Sequence, residues 1–197
     1  MPRAGLDTAA IVTAAAELAD EIGFSELTMA RLAERLGVRA PSLYKHIAGQ
    51  DDLHRRIAAL AFDEAAVAIG AAIQGRSGRD ALAAAADALR TLVLTRPGCY
   101  AATLGLTPTG PDDPILLASM RGIGPFEAVL RGYDIPPQDM THALRAVRSV
   151  FHGFASLQAS GGFQLSTDIG ESFDYLIDLI DRGLRAIAGT GPADPHR

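Results

Sequence analysis

The chain has 197 residues, 36 of them alanine, with one cysteine and no tryptophan. Eighteen Lys and Arg against 23 Asp and Glu leave a formal charge of −5, and 48% of residues are hydrophobic. That composition excludes disorder for most of the chain, the lone Cys99 excludes a disulfide scaffold, and the acidic total argues against a bulk nucleic-acid binder.

Alanine, leucine and arginine dominate, and no window alternates with a period of two, so the sequence predicts an all-α protein of about nine helices. The first helix is expected over 7–22, with Ile11, Ala15, Leu18 and Ile22 on one face and Gly23 placed to end it. Thr28 stands where an N-cap belongs, ahead of a two-turn helix over 29–36. Gly37 and Val38 form a tight turn, and Pro41 opens a second short helix over 40–46. Asp51 and Asp52 favour the start of a long fourth helix over 50–73. Gly75 to Gly78 reads as a linker, followed by helices over 80–95, 99–104 and 115–131. The last two, over 138–160 and 167–188, carry the strongest apolar periodicity: Ile169, Phe173, Leu176, Ile177, Ile180, Leu184 and Ile187 in the final one. The tail after residue 190 is expected to be disordered.

Two short helices joined by a glycine turn make residues 28–47 a helix-turn-helix candidate. Charge placement strengthens it. Between residues 28 and 46, Arg31, Arg35, Arg39 and Lys45 are opposed only by Glu34, a local +3 that leaves −8 for the rest of the −5 total. On the second helix Leu43 and Ile47 point inward, leaving Arg39, Ser42, Tyr44, Lys45 and His46 outside. Donors, a hydroxyl and an aromatic without acids suit a major groove lined with acceptors and flanked by phosphates. Thr28, at a helix start, adds a hydroxyl beside free N–H groups. Plainer uses exist for the same residues: Tyr44 as a packing aromatic, His46 as a helix cap, and Arg31 with Arg35 as a solvated face.

The run Leu36-Gly37-Val38-Arg39-Ala40-Pro41-Ser42-Leu43-Tyr44-Lys45-His46-Ile47, followed by Asp51-Asp52-Leu53, resembles the DNA-binding signature of TetR-type transcriptional repressors. The resemblance implies that Arg39, Ala40, Ser42 and Lys45 line base edges and that Thr28, Tyr44 and His46 hold the phosphate backbone. Pro41 lies in the same stretch and is counted with them. Gln50 departs from the pattern, taking the place of the usual lysine. An uncharged amide can still bond a phosphate oxygen but releases no counterion. Ile47 replaces the usual phenylalanine.

Beyond Leu53 the resemblance is carried by Arg96-Pro97-Gly98-Cys99-Tyr100, by His152-Gly153-Phe154 and by Gly162-Phe163. It implies a helical C-terminal regulatory domain, dimeric through its last two helices and hollowed for a ligand. The expected division is a DNA-binding domain over 1–50, a ligand-binding and dimerisation domain over 51–190, and the tail 191–197. The broad apolar faces of the last two helices, with Leu144, Val147 and Leu157 among them, fit a homodimer. Phe151, Phe154, Phe173, Leu176, Ile177 and Ile180 are the candidate dimerisation residues. Candidate ligand liners are Tyr100, Leu104, Met120, Phe126 and Phe151, with Arg90, Arg121 and Arg148 as polar anchors. The same apolar stripes also serve as plain core, and His142 and His152 are expected as core or interface histidines.

Catalytic signatures are missing. The sequence has no His-Glu-x-x-His, no Gly-x-Ser-x-Gly, no P-loop and no Cys-x-x-Cys, and Gly122-Ile123-Gly124 lacks the third glycine of a dinucleotide fingerprint. Neither an enzyme activity, a metal nor a cofactor is expected. The apolar run over 57–73 carries Asp63 and Glu64 and is short of a bilayer's thickness, so no membrane partner is expected. With Asp7 interrupting any signal-peptide pattern, the expected location is the cytoplasm. The expected function is a homodimeric repressor of a palindromic double-stranded operator, released by a small, largely apolar effector. Two alternatives stand beside it: a dimeric DNA-binding regulator without a sensor pocket, and a small helical enzyme or binding protein whose helix-turn-helix is incidental.

Overall fold

The computed structural model describes residues 7–108, 110 and 113–189. Among them are nine α-helices, one 3-10 turn and no strand. In chain order these are α1 Thr8–Ile22, the turn Phe24–Glu26, α2 Met29–Arg35, α3 Ala40–Leu43, α4 Gln50–Ala72 and α5 Gly78–Thr95. They continue with α6 Pro97–Ala101, α7 Pro114–Arg131, α8 Met140–Ala159 and α9 Ile169–Gly189. The all-α expectation holds. Among the described residues, no helix is long and apolar enough to cross a membrane. The tail over 191–197 lies outside the described residues.

The described residues divide into two compact units, the first running to Glu64 and resuming over Thr95–Met120, the second taking Ala65–Leu94 and the described residues from Arg121 onward. The first unit begins with α1, whose N-cap Asp7 accepts from the Ala10 N–H at 2.7 Å. Gly23 ends that helix at φ +91°, its N–H bonded to the Ala19 carbonyl at 2.9 Å. Its inner face is Ile11, Ala15, Leu18 and Ala19, packed with Leu32, Leu43, Ile47, Leu53 and Ile57 in one cluster. α6 also belongs to this unit, close against α1. A Cβ built on Gly98 would sit 1.9 Å from the Ala19 carbonyl oxygen, so only glycine permits the approach. Asp20 of α1 accepts the Cys99 N–H at 2.7 Å, and Arg96 faces both Asp20 at 2.7 Å and Glu64 at 3.4 Å. Burial pushes the Cys99 thiol up to about 11, so it stays an unreactive packing group.

The second unit is built on aromatic and aliphatic packing. Phe151 of α8 lies between Phe126 of α7 at 6.4 Å and Phe173 of α9 at 6.0 Å, ring centre to ring centre. Phe173 also meets Phe154 at 4.9 Å, which in turn meets Phe163 at 4.7 Å. Phe151, Phe173 and Ile177 are fully buried inside the single chain. That corrects their assignment to a dimer contact: the stripe read from α9 is largely protomer core. Phe154, Leu176 and Ile180 are half-buried. His142 is exposed on α8 rather than packed in a core, and His152 is half-buried, its Nδ1 3.3 Å from the Ser156 hydroxyl.

Candidate nucleic-acid interface

Thr28 caps α2 as expected, its hydroxyl oxygen accepting from the Arg31 N–H at 3.2 Å. The turn out of α2 uses Gly37 at φ +65°, a left-handed conformation natural to glycine, and the Val38 N–H returns to the Ala33 carbonyl at 3.0 Å. α3 is shorter than expected. It stops at Leu43 because the chain tightens there, with the His46 and Ile47 N–H groups both donating to the Leu43 carbonyl at 2.9 Å. Tyr44, Lys45 and His46 therefore sit on a tight turn rather than on the helix proper.

The inward and outward faces sort as read. Leu43 and Ile47 are fully buried with Leu32 and Ile57. Arg39, Pro41, Tyr44 and Lys45 are exposed, while Ala40, Ser42 and His46 are half-buried. At 56% exposure Tyr44 is no packing aromatic. The basic window is not uniformly free, however. Arg35 makes a two-pronged pair with Glu21 of α1 at 2.7 and 2.6 Å, and Arg31 pairs with Glu26 at 3.3 Å. The Glu21 pair lowers the carboxyl and raises the guanidinium, each through its hydrogen bond to the other. Among the described residues, Arg39 and Lys45 have no ion-pair partner, so the usable positive charge is concentrated on α3 and its turn.

Gln50 is placed differently from a phosphate contact. Its side-chain oxygen accepts the Met29 N–H at 3.1 Å and its NH2 donates to the Leu27 carbonyl at 2.8 Å. The amide is thus spent on the backbone either side of Thr28. At the N-terminal end of α4, Asp52 accepts the Ala48 N–H at 2.8 Å and pairs with Arg56 at 2.9 Å. Burial works to raise its carboxyl, but the two bonds outweigh it and hold the group below its ordinary value.

Residues 11–57 match the family described as bacterial regulatory proteins, tetR family, and residues 82–180 match the tetracyclin repressor-like C-terminal domain. The chain belongs to the TetR family. It is 33% identical over 194 residues to the uncharacterized HTH-type transcriptional regulator Rv0681 of Mycobacterium tuberculosis, covering 98% of this chain and 85% of that one. It is 31% identical over 188 residues to YobS of Bacillus subtilis, covering 93% and 95%. Among solved structures, a TetR variant from Acinetobacter baumannii AYE in complex with minocycline superposes with a TM-score of 0.70 at 26% identity, covering 93% of this chain and 98% of that one. This TetR-family member is therefore a DNA-binding transcriptional regulator of helix-turn-helix type.

The five expected ligand liners are divided between the two units. Tyr100, Leu104 and Met120 belong to the first unit, where Leu104 and Met120 are exposed; Phe126 and Phe151 are buried against one another in the second. Of the polar anchors, Arg148 is exposed. Arg90 lies 4.7 Å above the Phe173 ring and donates to the Gln158 side chain at 2.7 Å. A cleft of about 1060 Å³ opens in the first unit among α1, α4 and the start of α7, and none of the five lines it. Its walls include Val12, Ala59 and Ile115, with the pairs Arg55–Asp113 at 3.0 Å and Arg56–Asp52 at 2.9 Å.

Proposed function

We propose that this regulator is a homodimeric repressor that reads a palindromic operator through α3 and its following turn. Residues 1–50 form the reading head and 51–190 the regulatory and dimerisation part. The observation that carries the reading is the exposed cationic and aromatic surface of Arg39, Tyr44 and Lys45, held outward by fully buried Leu43 and Ile47. Arg39, Ala40, Ser42 and Lys45 read base edges, while Thr28, Tyr44 and His46 position the backbone. Two such heads related by a two-fold axis demand half-sites about one helical turn apart. Release is by a small, largely apolar effector; that the effector is a small molecule is supported by the minocycline carried by the A. baumannii relative. An effector acts only by binding one of two states more tightly than the other.

Selection from random-sequence DNA with the full chain tests this. The expected product is an inverted repeat whose binding weakens steeply with salt. A selection that enriches no sequence, or one without two-fold symmetry, overturns the reading. The exposure of Leu104 and Met120 favours a second reading, in which the chain regulates without a sensor pocket. A thermal-shift screen of apolar compounds separates the two, because stabilisation that climbs with concentration needs a real site.

A further inference from the structure

Gln50, at the start of α4, has both ends of its amide committed to the backbone of the approach to α2: the oxygen takes the Met29 N–H and the nitrogen serves the Leu27 carbonyl. Those two groups flank Thr28. The reverse orientation would set the amide oxygen against a carbonyl and its NH2 against an N–H, so the backbone fixes which end is which. The Gln50 nitrogen also lies 2.6 Å from Nε2 of His54, one turn along α4. Because that nitrogen can only donate, Nε2 must accept, and an imidazole accepting there is neutral with its proton on Nδ1. The ring is half-buried against Phe24, centroids 4.5 Å apart.

We propose that Gln50 and His54 are positioning residues for DNA binding: neutral His54 holds the Gln50 amide in one orientation, the amide brackets Thr28 and so aims the start of α2, and a proton on His54 opens this clamp and weakens operator binding. An imidazolium would turn an N–H onto the Gln50 NH2, and no rotation of the amide satisfies Leu27, Met29 and His54 at once. The charged residues on the surrounding elements are otherwise engaged. Glu26 of the 3-10 turn pairs with Arg31, Glu21 of α1 with Arg35, and Arg55 of α4 with Asp113. Asp51 on α4 is the charge that acts on the ring, favouring the proton, but burial opposes it more strongly and pushes the imidazole below its ordinary value. The sign follows. The opened chain binds the proton more readily than the clamped one, so the clamp is fully present above about pH 6.5 and is lost as pH falls towards the depressed value.

The proposal rests on the operator reading, and its test separates the two. Operator affinity of the full chain is measured from about pH 7.5 to about pH 5.5 beside His54→Phe, which keeps a ring on Phe24 and removes the titration. Any pH effect common to both proteins cancels in the ratio. The expected result is that the unsubstituted protein loses more affinity than His54→Phe over that range, by a factor smaller than the about tenfold that an imidazole titrating at its ordinary value of about 6.5 would give. Parallel pH profiles overturn it. Nitrogen-15 spectra of the unsubstituted protein supply a readout that needs neither DNA nor a variant: a neutral Nδ1–H tautomer is expected, and an Nε2–H tautomer overturns the clamp. Gln50→Ala is expected to raise the His54 titration point, and an unchanged value also overturns it. Failure of both proteins to bind any DNA while the tautomer is as expected removes the operator reading, and with it the effect on affinity.

Discussion

Lys45 and Tyr44 are exposed on the turn after α3. Neither belongs to the apolar cluster beneath them. Removing either leaves the core intact, so Lys45→Ala and Tyr44→Ala should unfold within about 0.5 kcal/mol of the parent. Each should weaken operator binding by about 1 to 3 kcal/mol, measured by fluorescence anisotropy at fixed salt. Loss of folding stability in step with affinity would show that these side chains support structure instead. Gly98 predicts the opposite pattern. Its missing Cβ would fall 1.9 Å from the Ala19 carbonyl oxygen, a backbone atom that no side-chain rotation can move aside. Gly98→Ala should therefore destabilise the chain by about 3 kcal/mol or more in chemical denaturation, although the residue is far in sequence from the reading head. A shift under about 0.5 kcal/mol would mean that α6 does not rest on α1 as described. Single residues divide sharply in how much of their role the sequence carries. Thr28 as a cap was legible because capping is local. Gln50 was not, since its partners Leu27 and Met29 lie more than twenty positions away and no periodicity links them. The pairing of Arg35 with Glu21 was hidden for the same reason, so a positive window in the sequence overstated the charge left for DNA.

Whole helices were the most legible level, because apolar spacing, caps and glycine stops all act within a few residues. α1, α4 and α7 fall within a residue or two of their expected limits. α3 was overextended, since a turn tightening onto the Leu43 carbonyl looks like helix in sequence. α9 shows what periodicity leaves undecided. Its stripe of Phe173, Ile177 and Leu184 is buried within the chain, while Tyr175 and Leu179 stand exposed at i, i+4 on another face. Apolar spacing marks both faces alike, and nothing in it tells an internal core from a surface awaiting a partner. α9 is also fastened by a buried acid. Asp181 accepts the Tyr133 hydroxyl at 2.6 Å and the Arg185 guanidinium at 2.9 Å. Burial tends to raise its carboxyl, but the bonds from Arg185 and Tyr133 outweigh that and hold it below the ordinary carboxylate range. Its stability contribution is accordingly present above about pH 4 and lost as the pH falls further. Tyr133→Phe should cost about 1 to 2 kcal/mol at neutral pH, and the gap to the parent should narrow on acidification through that range. A gap independent of pH would show that the hydroxyl matters for packing and not for the charge on Asp181.

At the scale of the molecule, the −5 total conceals its own distribution. With Arg31 and Arg35 neutralised by acids of the first unit, Arg39 and Lys45 are the residues of the 28–46 window whose positive charge stays available, against an acidic total for the chain. Such a protein gains little from sliding its bulk along phosphates, and one reading surface supplies too few contacts for tight selective binding. Two surfaces joined by a two-fold axis double the contacts and add the spacing of the half-sites as a second criterion. The second unit offers apolar surface for such a junction. Tyr175 and Leu179 of α9 and Leu157 of α8 are each more than half exposed. An isologous contact repeats every substitution on both sides, so a charge placed there meets its own copy. Leu179→Asp together with Tyr175→Asp should therefore shift the chain from dimer to monomer in sedimentation equilibrium, raising the dimer dissociation constant at least about a hundredfold, or about 2.7 kcal/mol. The folded monomer should persist, because Phe151, Phe173 and Ile177 beneath that surface are satisfied within one chain. Affinity for a full inverted repeat should then fall to the level of a single half-site while half-site binding is unchanged. A double variant that stays dimeric would place the junction on another surface, and one that unfolds outright would mean that the second unit needs its partner to hold its core.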